Sequence, residues 1–150
     1  MPGSDWRQAL GQRPWWMNVL FAFCLYMTFI YVPFDFFWKS VATDEEVWFG
    51  FLLHGWAAKL TEPLHWAIYA AGAYGFWKMR SWMWPWAAVY AAQVSLGMLV
   101  WNLRDARGRG IVGGVVAAVV FLVPTVALWN ARARFQNAAG ATGAAPPTAR

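Results

Sequence analysis

The sequence predicts an all-α integral membrane protein: a four-helix transmembrane bundle with one additional short interfacial or re-entrant helix. Three observations predict it. The 150 residues are 60% hydrophobic and 13% charged, where a soluble domain averages about a quarter charged. The chain carries 13 Trp, 11 Phe and 5 Tyr, an aromatic load that membrane interfaces accept and a small soluble surface does not. Most of the basic residues fall in short tracts between long apolar runs. Charge placed there sets topology rather than forming a phosphate-binding face, and no recognition motif accompanies it, so no nucleic-acid partner is expected. At this length there is room for one domain.

Residues 1–13 read as a cytoplasmic N-terminal tail with some helix. Pro14 suits a first-turn position, and residues 15–32 form the first apolar span. At about 1.5 Å per residue this span covers roughly 27 Å, enough to cross a bilayer core. It has no small-residue cleavage pattern at its end, so it reads as a retained anchor. Cys24 is the only cysteine and sits mid-span as an apolar filler, which leaves no internal disulfide and no Cys-based metal site. Pro33 is expected to end this span.

Thr43-Asp44-Glu45-Glu46 matches a capping box, with Thr43 as N-cap and Glu46 reaching back. A short helix is therefore expected at about 44–60. Its apolar part is roughly a dozen residues, too short for an independent span. Thr61, Glu62 and Pro63 then read as the start of a second span at 62–77, where a proline and an acid are both well placed. Ala67, Ala71 and Gly75 lie four apart and form a small-residue ridge for close helix approach. The third span is expected at 82–101, with Trp82, Trp84 and Trp86 as an interfacial belt. The fourth is expected at 111–129, bent at Pro124. Together these make a helical domain over 14–130. Residues 131–150 read as a basic and then disordered C-terminal tail.

Both termini fall on one side if the 44–60 helix does not span. That side holds Arg7, Arg13, Lys78, Arg80, Arg132, Arg134 and Arg150, against Lys39, Lys59, Arg104, Arg107 and Arg109 on the other. The balance favours cytoplasmic termini. The expected location is the membrane, the cytoplasmic membrane if the source is bacterial.

Ionisable groups at membrane depth are costly and therefore paired, turned inward or used. Lys59, Glu62 and His65 stand out for that reason. Glu62, His65 and Tyr69 share one helical face at i, i+3 and i+7. A plain structural role is open to each: a Lys59–Glu62 ion pair, and a His65 hydrogen-bonded locally. Asp35, Asp44, Glu45 and Glu46 either cap and solvate a loop or shape a cation-attracting mouth. The functional expectation is a non-enzymatic protein that binds or carries a small apolar or amphipathic molecule within the bundle, with Glu62, His65, Tyr69 and Gln93 as polar handles. No cofactor is predicted. One alternative is an accessory subunit of a larger membrane complex, or a homo-oligomer. The other is a metal- or haem-binding membrane enzyme using His54, Glu62 and His65, since Glu-x-x-His is a spacing found on metal-binding helices.

Overall fold

A computed structural model describes residues 10, 11 and 13–143, with side chains as far as Asn137. Four long helices dominate: α1 (Trp15–Trp38), α2 (Trp56–Trp77), α3 (Met83–Arg104) and α4 (Gly110–Asn130). A two-stranded antiparallel hairpin, β1 (Glu45–Trp48) and β2 (Phe51–His54), stands between α1 and α2, and α5 (Arg132–Gly143) follows α4. Of the four long helices, α1, α3 and α4 are long and apolar enough to cross a membrane by length and composition. Their outward residues are apolar: Phe29, Val112 and Val123 are each largely exposed. Such a surface suits hydrocarbon, not water.

The helices run antiparallel to their neighbours. Arg13, just before α1, donates to the carbonyl of Phe76 near the end of α2 at 2.5 Å, whereas Lys59 near the start of α2 reaches the end of α1. Tyr90 of α3 meets Tyr69 of α2, and Trp84 near the start of α3 donates to the Trp129 carbonyl at the end of α4 at 3.0 Å. An apolar core of Met17, Phe76, Met83, Leu128 and Phe135 closes the end where α1 begins and α4 ends. Ser95 donates to the Ala118 carbonyl at 2.7 Å and links α3 to α4 midway. The hairpin occupies the opposite end.

Pro33 does not end the first span. The helix passes through a π-helical segment, Met27–Tyr31, and continues to Trp38. In that segment the Val32 N–H bonds to the Met27 carbonyl, five residues back. By the same spacing Pro33 faces the Thr28 carbonyl and has no N–H to give it. The Trp66 indole of α2 supplies the missing donor at 2.8 Å. Trp66→Phe is therefore expected to leave a half-buried carbonyl unpaired and to cost about 1–2 kcal/mol in SDS-titration unfolding. Equal stability of variant and wild type would show that the carbonyl finds another donor.

The helix expected at 44–60 is absent. Thr43 ends a short 3-10 turn, Val41–Thr43, and the chain then becomes extended. The register pairs Glu45 with His54, Glu46 with Leu53, Val47 with Leu52 and Trp48 with Phe51. The two linking residues, Phe49 (φ 52°) and Gly50 (φ 87°), both have positive φ, as a two-residue hairpin turn of matching twist requires. Strand alternation wins over the capping box because Glu46 and Trp48 both turn toward the bundle while Glu45 and Val47 face outward. Gly55 (φ 57°) closes the hairpin by donating to the Asp44 carbonyl at 2.9 Å, and α2 starts immediately after it. The second span is thus one helix from Trp56, not one begun at Thr61. Pro63 lies inside it, where the Thr61 hydroxyl turns back to the Ala58 carbonyl at 2.7 Å. The C-terminal tail is also more ordered than expected: α5 continues to Gly143 and buries Phe135. The N-terminal expectation falls largely on residues 1–9, which with 12 and 144–150 lie outside the described residues.

Candidate functional site

Where α1 ends, α2 begins and the hairpin closes over both, six ionisable side chains converge. Four are nearly inaccessible: Glu62 and Asp44 are each 1% exposed, Asp35 5% and Lys59 7%. Continuity of α2 through Pro63 is what brings Lys59 onto the face of Glu62. The Lys59 ammonium donates to the backbone carbonyls of Asp35 (2.5 Å) and Lys39 (3.1 Å), and lies 3.3 Å from Asp44 and 3.4 Å from Glu62. Lys39 bridges Asp35 at 3.0 Å and Asp44 at 2.9 Å. Burial opposes the charge on both Lys39 and Asp44, and the polar contacts of Lys39 with Asp44 and Asp35, and of Asp44 with Lys39, Glu62 and Lys59, outweigh it. The Lys39 ammonium consequently titrates above its ordinary range and the Asp44 carboxyl below it.

The hairpin adds a second line of groups. Glu46 Oε2 lies 3.0 Å from His65 Nδ1, and the Trp48 indole lies flat on the His65 ring with centroids 4.0 Å apart and planes 7° apart. Both contacts follow from strand period: residues 46 and 48 project from one face of β1 onto α2. Beyond His65, the Tyr69 ring sits 6.1 Å away, and the Tyr69 and Tyr90 hydroxyls meet at 3.4 Å. Phe23 packs edge-on against Tyr69. A ladder of polar tips set in aromatic walls therefore runs from the hairpin into the bundle.

On the outer side of the hairpin, Glu45 lies 3.4 Å from His54 Nδ1 and accepts from Arg107 at 2.7 Å. Arg107 belongs to the α3–α4 loop, so this cluster ties that loop to the hairpin.

Among the residues expected from sequence, His65 and Tyr69 are neighbours, and Glu62 lies one turn away in the ionic cluster. Gln93 is half-buried on α3, its side-chain nitrogen close to Gly97 beneath the hairpin turn. The trio of His54, Glu62 and His65 does not assemble as a ligand set. His54 is exposed at the open end of the hairpin with Glu45. Among the described residues, the group whose potential ligand atoms all lie within 4.8 Å of one another is Asp35, Glu46 and Glu62. Sequence reasoning left Asp35 and Glu46 among loop carboxylates. Their signal was modest: an acid inside an aromatic run, and one of two adjacent glutamates at the position that alternation turns inward. Compared with known protein families, with curated proteins and with solved structures, the chain matches none.

Proposed function

We propose that this is a small multi-pass membrane protein with four spanning helices that binds or carries a small apolar or amphipathic molecule and performs no chemistry on it. Helix α2 has 22 residues, about 33 Å, and runs antiparallel between α1 and α3. Its ionisable groups lie in its first half and turn toward α1 and the hairpin, which makes it acceptable as the fourth span. Lys39 and Lys59 are both held in ion pairs, so the free positive charge is weighted further toward the side of the termini. That supports termini in the cytoplasm.

The observation that carries the binding reading is His65. Its ring is oriented by Glu46, pressed against Trp48 and followed by Tyr69 and Tyr90. Few polar groups converge there among many aromatic ones, which is the make-up of a site for an amphipathic molecule. Glu62 stands at the polar end of this ladder and Gln93 across from it on α3. A second reading, an accessory or self-associating subunit, draws on α2's outer face. There Ala67 and Ala71 are exposed beside a groove of about 310 Å³ lined by Pro63, Trp66, Ala67 and Ala70.

One purification in mild detergent tests both. Mass spectrometry of co-purified lipids and pigments is expected to find one molecule retained by wild type. His65→Ala is expected to reduce it about tenfold, the loss of one polar contact and one stacked ring. Identical profiles for the two proteins would overturn the binding reading. Elution of wild type as a monomer would count against the second.

A further inference from the structure

We infer that Asp35, Glu46 and Glu62 form a binding site for one divalent cation of the oxygen-preferring class, at the junction of α1, β1 and α2. The inference goes beyond the amphipathic-ligand reading and does not depend on it.

Charge provides the first argument. The cluster holds four carboxylates, Asp35, Asp44, Glu46 and Glu62, against two ammoniums, Lys39 and Lys59. With all four carboxylates ionised, four against two would be an excess of two negative charges in a nearly dry location. Buried charge is costly unless paired, and a single divalent cation balances two.

Partnering provides the second. Asp44 is spent between the two lysines, one oxygen on each. The other three carboxylates each hold one protein group: Asp35 Oδ1 takes Lys39, Glu46 Oε2 takes His65, and Glu62 Oε1 takes Lys59. Their remaining valence is not used in the same way. Asp35 Oδ2 and Glu62 Oε2 are buried and without a hydrogen-bond partner; the two Asp44 oxygens also lack a well-aligned hydrogen bond, but each lies in an ion pair with a lysine. Unpartnered buried carboxylate oxygens on side chains this inaccessible point to an occupant. Carboxylates that ligate a metal through one oxygen and are oriented through the other are the usual arrangement at such sites.

Spacing provides the third. The three potential ligand oxygens lie within 4.8 Å of one another. Oxygens bound to one ion at about 2.0–2.6 Å are at most roughly 5 Å apart, so the spacing is compatible with one common centre. Hard carboxylate oxygens with no thiolate favour Mg²⁺, Mn²⁺ or Ca²⁺ over soft metals. The nearby ammoniums do not forbid the ion. Lys59 donates to two backbone carbonyls, and Lys39 is held by Asp35 and Asp44.

The test uses the full chain purified in detergent, stripped with EDTA and titrated with Mn²⁺ under electron paramagnetic resonance, with Mg²⁺, Ca²⁺ and Zn²⁺ as competitors. One Mn²⁺ per chain is expected, displaced by Mg²⁺ or Ca²⁺. Glu62→Gln, close in shape and without the charge, is expected to weaken binding 10- to 100-fold. The same variant should unfold at a higher temperature than stripped wild type, because an uncompensated charge is gone, and should lose the stabilisation that metal gives wild type. Asp35→Asn serves as the second variant if Glu62→Gln folds poorly, and His54→Ala should bind like wild type. Stripped wild type that takes up no stoichiometric ion from this panel, or carboxylate variants that bind Mn²⁺ as tightly as wild type, would overturn the site. Loss of a co-purified amphipathic molecule in His65→Ala with Mn²⁺ binding intact would separate the two proposals.

Discussion

Lys59→Met is expected to be among the most destabilising single substitutions in this protein, costing about 3–5 kcal/mol at neutral pH, because it strands buried carboxylates without their counter-charge. The ammonium holds two side chains and two backbone carbonyls from three separate segments. Methionine fills a similar volume and offers none of those donors. SDS titration of wild type and variant at pH 7 measures the difference, and a cost under about 1 kcal/mol would mean that water reaches the cluster. The pH dependence has a definite sign. In wild type the Asp44 carboxyl is held below its ordinary value, so its contribution is present above the unfolded pKa of about 3.9 and is lost as pH falls through the folded value. The stability that Asp44 contributes is therefore lost only at the acid end, below that unfolded value. In Lys59→Met, acidification neutralises carboxylates that have lost their partner, so the gap to wild type narrows as pH falls. Adding Glu62→Gln to Lys59→Met should recover part of the loss at pH 7, and the size of that recovery is the coupling between the two residues.

That network shows where sequence reasoning stops. The membrane-helical class follows from composition and from long apolar runs; α3 and α4 keep their expected places within three residues, whereas α1 keeps its expected start and runs six residues past its expected end. The i, i+3, i+7 spacing of Glu62, His65 and Tyr69 also survives, since local helical geometry fixes it. Asp35 and Lys59 are 24 positions apart, and no periodicity reports that the end of one helix will supply a carbonyl to the first turn of another. The hairpin was missed for a different reason. Thr43 to Glu46 satisfies a local helix-start rule, while Glu45 to His54 satisfies strand alternation around a two-residue Phe49-Gly50 link. Both patterns are short, and tertiary contact decides between them: alternation delivers Glu46 and Trp48 to His65, whereas a helix would spread those residues around its circumference. Pro33 and Pro63 were read as boundaries on local grounds. The first is accommodated by a π-helical segment and an indole donor from α2, and the second remains inside a helix fixed by Gly55 and the ionic cluster. In each case the deciding partner is distant in sequence.

Gly50→Ala is expected to cost about 2–5 kcal/mol and to lift the hairpin from the bundle. Two terms contribute. Gly50 sits at φ 87°, and a left-handed conformation penalises any residue with a Cβ by about 1–2 kcal/mol. The turn is also seated directly on α3. A Cβ at Gly50 would lie 2.6 Å from Val100 Cγ1 and 2.8 Å from the Gly97 carbonyl oxygen, closer than van der Waals contact permits. Backbone on the α3 side cannot swing aside as a flexible side chain does, so overpacking adds about 1–3 kcal/mol. Gly97 completes the fit from below, its own position lying against Gly50 and Phe49. Gly110→Ala isolates the first term, because Gly110 has φ 63° and open space where its Cβ would be; that variant should lose only about 1–2 kcal/mol. If the two alanine variants are equally stable, the hairpin tip is not docked on α3. If Gly50→Ala is far less stable, the larger consequence concerns the site. Glu46 and Trp48 are carried by the strand that this turn anchors, so the same variant should loosen the His65 contacts and weaken binding of both the amphipathic molecule and Mn²⁺, although it touches no residue of either proposed site.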